Sequence, residues 1–183
     1  YWALGEMAKA QAGVLESDSA EEAEEKLTEA VDALVPDREE AAWVVGHLRP
    51  LVGLGGEPGA GAEARGEAFA AWRRFLEALA EQRATVLVFE DLHWADDGLL
   101  DFVDGLVDRA TGVPLLVVCS ARPELLTRRS GWGGGKANAV TLSLSPLSNE
   151  DTSRLVAGLL SQAVLPAETQ QTLVLNNLRD RIV

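Results

Sequence analysis

Two carboxylates in succession, Glu90 and Asp91, follow the apolar run Thr85-Val86-Leu87-Val88-Phe89. A continuous run of β-branched and apolar residues predicts a strand covered on both faces. The acid pair then emerges at the C-terminal end of that strand, the edge where open parallel sheets bind their ligands. Adjacent acids repel each other and are costly to desolvate. A hydrated magnesium ion compensates both penalties, because it takes hard oxygen ligands and keeps several of its waters. The same pair also reads as an ordinary acidic surface turn.

A second segment, Val117-Val118-Cys119-Ser120-Ala121-Arg122-Pro123, sets a hydroxyl and a guanidinium just beyond another apolar run. In a nucleotide site Ser120 could hold an attacking water and Arg122 could reach the terminal phosphate, where a fixed guanidinium stabilises transferring charge. Taken alone, they read more readily as a strand-end serine and a surface arginine. The stretch Gly56-Glu57-Pro58-Gly59-Ala60-Gly61-Ala62-Glu63 has the glycine spacing of a phosphate-binding loop. Ala62 stands where that loop needs lysine, and Glu63 where it needs serine or threonine. We read it as a connector. Trp94 is expected to pack, His93 to shape the rim of the site, His47 to be structural, and Cys119 to be a small core residue in its strand.

The elements that must position these residues change character along the chain. Residues 1–82 read as helical. Ala23, Leu27, Ala30, Val31 and Leu34 form a helical stripe closed by Pro36, with Ser19 as its cap. A shorter helix over Arg38–Leu48 and a long one over Glu63–Gln82 follow, the latter with Phe69, Trp72, Leu76 and Leu79 on one stripe and Phe75 beside it. Strand Thr85–Phe89, a helix capped by Asp96, and strand Leu115–Cys119 make a βαβ unit, which requires parallel strands. The alternation of Val140-Thr141-Leu142-Ser143-Leu144 predicts a third strand. Ser148-Asn149-Glu150-Asp151 opens a helix to about Leu160, and Pro166 begins another that carries Leu173 and Leu175.

The 183 residues suffice for one domain with a real core, and the formal net charge is −13. That charge argues against a surface that tracks nucleic-acid phosphates. Much of the acid, between Glu16 and Glu40, reads as a solvated helix face. A single cysteine excludes an internal disulfide, and two histidines far apart suggest no zinc motif. No apolar run is long enough to span a bilayer, and no secretory leader opens the chain. A cytoplasmic setting is expected.

The stretch Phe89-Glu90-Asp91-Leu92-His93-Trp94-Ala95-Asp96 resembles the Walker B region of P-loop NTPases, and more closely the ATPase domain of large bacterial regulators of the AAA/STAND type. These include ATPases associated with adenylate or guanylate cyclases and LuxR-type regulators. Tyr1-Trp2-Ala3-Leu4-Gly5-Glu6, Ala70-Ala71-Trp72-Arg73-Arg74-Phe75-Leu76, Ala121-Arg122-Pro123-Glu124-Leu125 and Leu144-Ser145-Pro146-Leu147-Ser148 carry the resemblance along the chain. It implies a three-layer αβα core with a parallel sheet, a helical insertion over 1–82, Walker B and sensor strands over 83–147, and the start of a helical lid over 148–183. It also implies ATP and magnesium as cofactors. Glu90 matches the residue that binds magnesium through water, where the family often has Asp. Asp91 matches the acid that polarises the attacking water. Arg122 matches the sensor arginine, with Ser120 beside it.

Two features depart from that family. Its phosphate-binding loop lies before the segment matching Tyr1, and its Gly-x-Pro lid motif is missing from the tail Leu175–Val183. The chain therefore reads as a fragment of an incomplete α/β domain that binds ATP weakly or not at all by itself. The intact protein would use ATP as a switch for an output domain in the same chain, with self-association possible. The rival reading is a non-catalytic interaction module derived from such an ATPase.

Overall fold

A computed structural model describes residues 1–55 and 61–161. The glycine-spaced residues 56–60, the helix expected from Pro166 and the tail Leu175–Val183 lie outside the described residues. The chain divides into two compact units, Tyr1–Val140 and Thr141–Val183.

The first unit begins with three short helices, α1 (Trp2–Ala12), α2 (Ala20–Asp32) and α3 (Arg38–Leu48). Helix α2 starts at a capping box. Ser19 Oγ accepts the Glu22 N–H at 3.2 Å, and Glu22 Oε2 accepts the Ser19 N–H at 2.8 Å, so each satisfies a backbone donor that the helix leaves open. Its buried face is Ala23, Leu27 and Val31. Asp37 caps α3 by accepting the Glu40 N–H at 2.8 Å. A 3₁₀ turn, Arg49–Val52, brings the carbonyl of Leu51 against Gly5 of α1, so closely that any Cβ at position 5 would collide with it.

Helix α4 (Ala62–Gln82) forms the spine of the unit and buries Trp72, Phe75 and Leu76 on its inner side. The Trp72 indole N–H donates to the His47 carbonyl at 2.8 Å. This pins α4 to α3 and leaves no buried polar atom of that ring unpaired. Tyr1, Phe69, Trp72 and Phe102 meet edge to face or tilted, with centroids 4.8 to 5.8 Å apart, the arrangement that ring quadrupoles favour.

Strand β1 (Thr85–Phe89), helix α5 (Asp97–Arg109) and strand β2 (Leu115–Cys119) form the expected βαβ unit. The strands pair in parallel, with Thr85 opposite Leu115 and Phe89 opposite Cys119. Leu87 and Phe89 point into the same core as Trp72 and Phe102.

The other face of the sheet differs from the sequence expectation. Val86 is 58% exposed and Val88 52%, with Leu116 and Val118 exposed beside them. Among the described residues the sheet is covered on one side only. An apolar run records which side chains avoid water, not whether a neighbour is present to exclude it. Cys119, expected in the core, is exposed at the end of β2.

Helix α6 (Glu124–Arg128) follows β2 and buries Leu125. No helix among the described residues is long and apolar enough to cross a membrane.

In the second unit, α7 (Asn149–Ser161) starts at Ser148, whose Oγ accepts the Asp151 N–H at 3.1 Å. The third strand expected over Val140–Leu144 is not formed. That segment has no regular structure, and Val140, Leu142 and Leu144 are each at least four-fifths exposed. Alternation suits a residue series to a pleated surface, but a strand also needs a partner for its backbone N–H and C=O groups. Among the described residues the sheet is two-stranded.

Candidate functional site

The acid pair lies where β1 ends, and its conformation is set from β2. The Ser120 N–H donates to the Phe89 carbonyl at 2.9 Å, and the Leu92 N–H donates to the Ser120 carbonyl at 3.0 Å. The Asp91 N–H reaches Ser120 Oγ at 3.3 Å. Backbone pairing thus continues past both strands and fixes Glu90 and Asp91 alongside Ser120.

Asp91 itself is left-handed, at φ 55° and ψ 36°, the one positive φ at a non-glycine residue among the described residues. Aspartate visits this region more readily than most residues because its short polar side chain can bond locally. The reversal turns Leu92 into the core, where it is 2% exposed, and leaves both carboxylates facing solvent.

A 3₁₀ turn, Leu92–Trp94, leads to Asp96, whose Oδ1 caps α5 through the Leu99 N–H at 2.8 Å. The His93 side chain is 5% exposed, and its Nδ1 lies 3.8 Å from Asp91 Oδ1. The backbone N–H of Arg122 points to the same Nδ1 at 3.4 Å. Trp94, expected to pack, is 78% exposed and tilts against the imidazole. An indole adjoining a buried turn can find no second layer to enter.

The structure thus brings Asp91, Ser120, His93 and the Arg122 backbone together. It does not join the side chains of Glu90 and Arg122 to them: among the described residues neither makes a hydrogen bond or an ion pair.

Cations that the sequence did not single out hold the segment after β2 along α5. Arg128 donates to the carbonyls of His93 (3.2 Å) and Ala95 (2.5 Å). Arg129 pairs with Asp97 at 3.0 Å and Asp101 at 2.9 Å, and Lys136 with Asp104 at 3.2 Å and Asp108 at 2.6 Å. The bonds from Asp108 and then Asp104 outweigh desolvation and raise the Lys136 ammonium above its ordinary pKa. The four aspartates lie three or four residues apart, so they share one face of α5. That stripe is legible in sequence, whereas its cations are distant along the chain and become partners only through the fold.

Two solvent-facing carboxylates suit magnesium, which binds through one or two carboxylates and fills its remaining positions with water and phosphate oxygens. No cluster of three or more carboxylate, histidine or cysteine ligands exists among the described residues. Gly61 precedes α4, and Ala62 and Glu63 open it, supplying neither a cation nor a hydroxyl.

A family model described as the AAA ATPase domain matches residues 4–118. The match runs from α1 into β2, includes Glu90 and Asp91, and stops short of Ser120 and Arg122. No curated protein matches the chain, and no solved structure does. The family match spans more than half of the 183 residues, and with the βαβ unit and the acid pair at its strand tip it identifies the chain as a member of the AAA ATPase domain family, a group of nucleotide-binding P-loop proteins.

Proposed function

We propose that this chain supplies the acidic, magnesium-and-water end of an ATP site, and that hydrolysis there switches an output domain of the same protein, either a cyclase or a DNA-binding domain. The observation that carries the reading is the turn at Asp91. Ser120 holds its backbone across two paired strands while both carboxylates stay exposed. A site that must meet a hydrated cation needs carboxylates fixed at the backbone and open at the oxygens.

In this reading Glu90 takes a water of the magnesium ion, and Asp91 polarises the water that attacks the terminal phosphate. Ser120 holds that water, and Arg122 swings its unpaired guanidinium toward the phosphate oxygens. Magnesium, when bound, neutralises charge on the phosphates. Residues 1–147 form the core and 148–183 the start of a lid. In the intact protein, further helices would pack on Val86, Val88, Leu116 and Val118, which are exposed in this chain, to complete three αβα layers.

The experiment is substitution of Glu90→Gln and Asp91→Asn in the protein that carries this domain. Asp91→Asn should lower kcat by about a hundredfold or more, the scale of a lost acid–base group, with ATP binding retained. Glu90→Gln should raise the magnesium concentration needed. Unchanged hydrolysis in both variants would reject the reading. The 183-residue chain alone, with Ala62 and Glu63 where a phosphate-binding loop needs lysine and a hydroxyl, should show weak or no ATP binding by calorimetry. Tight magnesium-dependent binding would contradict that.

A second reading, an interaction module, draws on the outward face of α2, where Glu21, Glu25, Glu29 and Asp32 are all exposed. Signalling that survives the loss of ATPase would favour it.

A further inference from the structure

His93 is held at the strand tips from two sides. Its carbonyl accepts from the Arg128 guanidinium at 3.2 Å, and its ring is 5% exposed although the neighbouring Trp94 is 78% exposed. Nδ1 faces two groups with opposite demands: the Arg122 N–H, a donor, at 3.4 Å, and the Asp91 carboxylate, an acceptor, at 3.8 Å. A neutral imidazole offers one N–H and one lone pair. The Arg122 bond needs the lone pair on Nδ1, which places the proton on Nε2. That atom is buried and has no partner among the described residues.

Buried polar groups are nearly always bonded, so an orphan calls for a compensating role of the same ring. The one polar bond that this ring makes among the described residues is the one to Arg122. Ser120 bonds Asp91 and Leu92 two residues before Arg122, and Arg128 bonds the His93 and Ala95 carbonyls six residues after it; at Arg122 itself the His93 ring is the one polar tie among the described residues.

The geometry points to His93 as a positioning residue: through the lone pair on Nδ1 it fixes the backbone of Arg122 beside Asp91 and leaves the guanidinium free to reach a ligand. The tether acts at the backbone and does not occupy the arginine's donors. The functional meaning rests on the nucleotide site proposed above, but the tether itself exists without nucleotide and is measured without it.

The test uses the 183-residue chain. Imidazole ¹⁵N spectra should show His93 with a bare Nδ1 and a protonated Nε2. Amide hydrogen exchange at Arg122 should quicken about tenfold or more in His93→Ala, the scale of a lost local closure, while exchange at Ser120 and Leu92 holds steady. His93→Asn places a carbonyl oxygen near the position of Nδ1 and should restore slow exchange at Arg122. The opposite tautomer would overturn the proposal. So would an unchanged Arg122 amide in His93→Ala, equal acceleration in the Ala and Asn variants, or acceleration spreading to Ser120, which would mark a packing role. Failure of the ATPase reading would instead appear in the Glu90 and Asp91 variants and leave these exchange rates as they are.

Discussion

Leu87→Ala and Val88→Ala, one residue apart on β1, separate the two faces of the sheet. Leu87 is 6% exposed and Val88 52%. A fully buried leucine truncated to alanine loses about 2–5 kcal/mol, from transfer and from the cavity left behind. A valine already half in water has about half of its burial energy to lose, on the order of 1 kcal/mol. The pair should therefore differ by about 1–4 kcal/mol. Urea unfolding followed by far-UV circular dichroism measures this directly. With a slope of about 2 kcal/mol per molar, Leu87→Ala should lower the midpoint by about 1.5 M and Val88→Ala by less than about 0.5 M. Equal losses would refute the one-sided sheet, because they would mean that Val88 has a neighbour that excludes water as well as the core does.

Trp72→Phe keeps most of the apolar volume but strands the His47 carbonyl, so it should cost about 1–3 kcal/mol in the same assay. Asp91→Ala should cost about 1 kcal/mol for placing a Cβ without a local polar group in the left-handed region, and Asp91→Gly should not, although both lose the carboxylate. Glu22 is held below its ordinary pKa of 4.5, first by the Ser19 N–H and then by the Ser19 hydroxyl. A depressed carboxylate contributes stability above its unfolded pKa and loses it as pH falls through the lower folded value. The first turn of α2 should therefore loosen on acidification below about pH 4.5, read by amide exchange at Glu22, and Ser19→Ala, which keeps the backbone N–H and removes the hydroxyl, should weaken that dependence without abolishing it. Arg129→Ala should release the segment after β2 from α5, with only a small loss of stability that shrinks in high salt, since these pairs are solvent-exposed.

Residues 85–89 and 115–119 declare themselves as strands from their own side chains, and Ser19 and Asp96 declare helix starts, because strand and cap preferences are set by groups within a few bonds of each other. The acid pair at a strand end was legible for the same reason. The register that puts Phe89 opposite Cys119 was not, nor was the Ser120 hydroxyl under the Asp91 N–H, since both depend on how two distant segments meet. Val140–Leu144 shows the limit from the other side. Its alternation is sound, yet it forms no strand, because a ladder requires a partner that alternation cannot supply. The local series thus marked the helices and the two strands that do form, and where Glu90, Asp91, Ser120 and Arg122 fall along them. The tertiary structure alone decided that one sheet face stays in water, that Trp94 is outside and His93 inside, and that Arg128, Arg129 and Lys136 bind the segment after β2 to the turn and helix that follow β1, because burial and charge pairing are properties of neighbours in space.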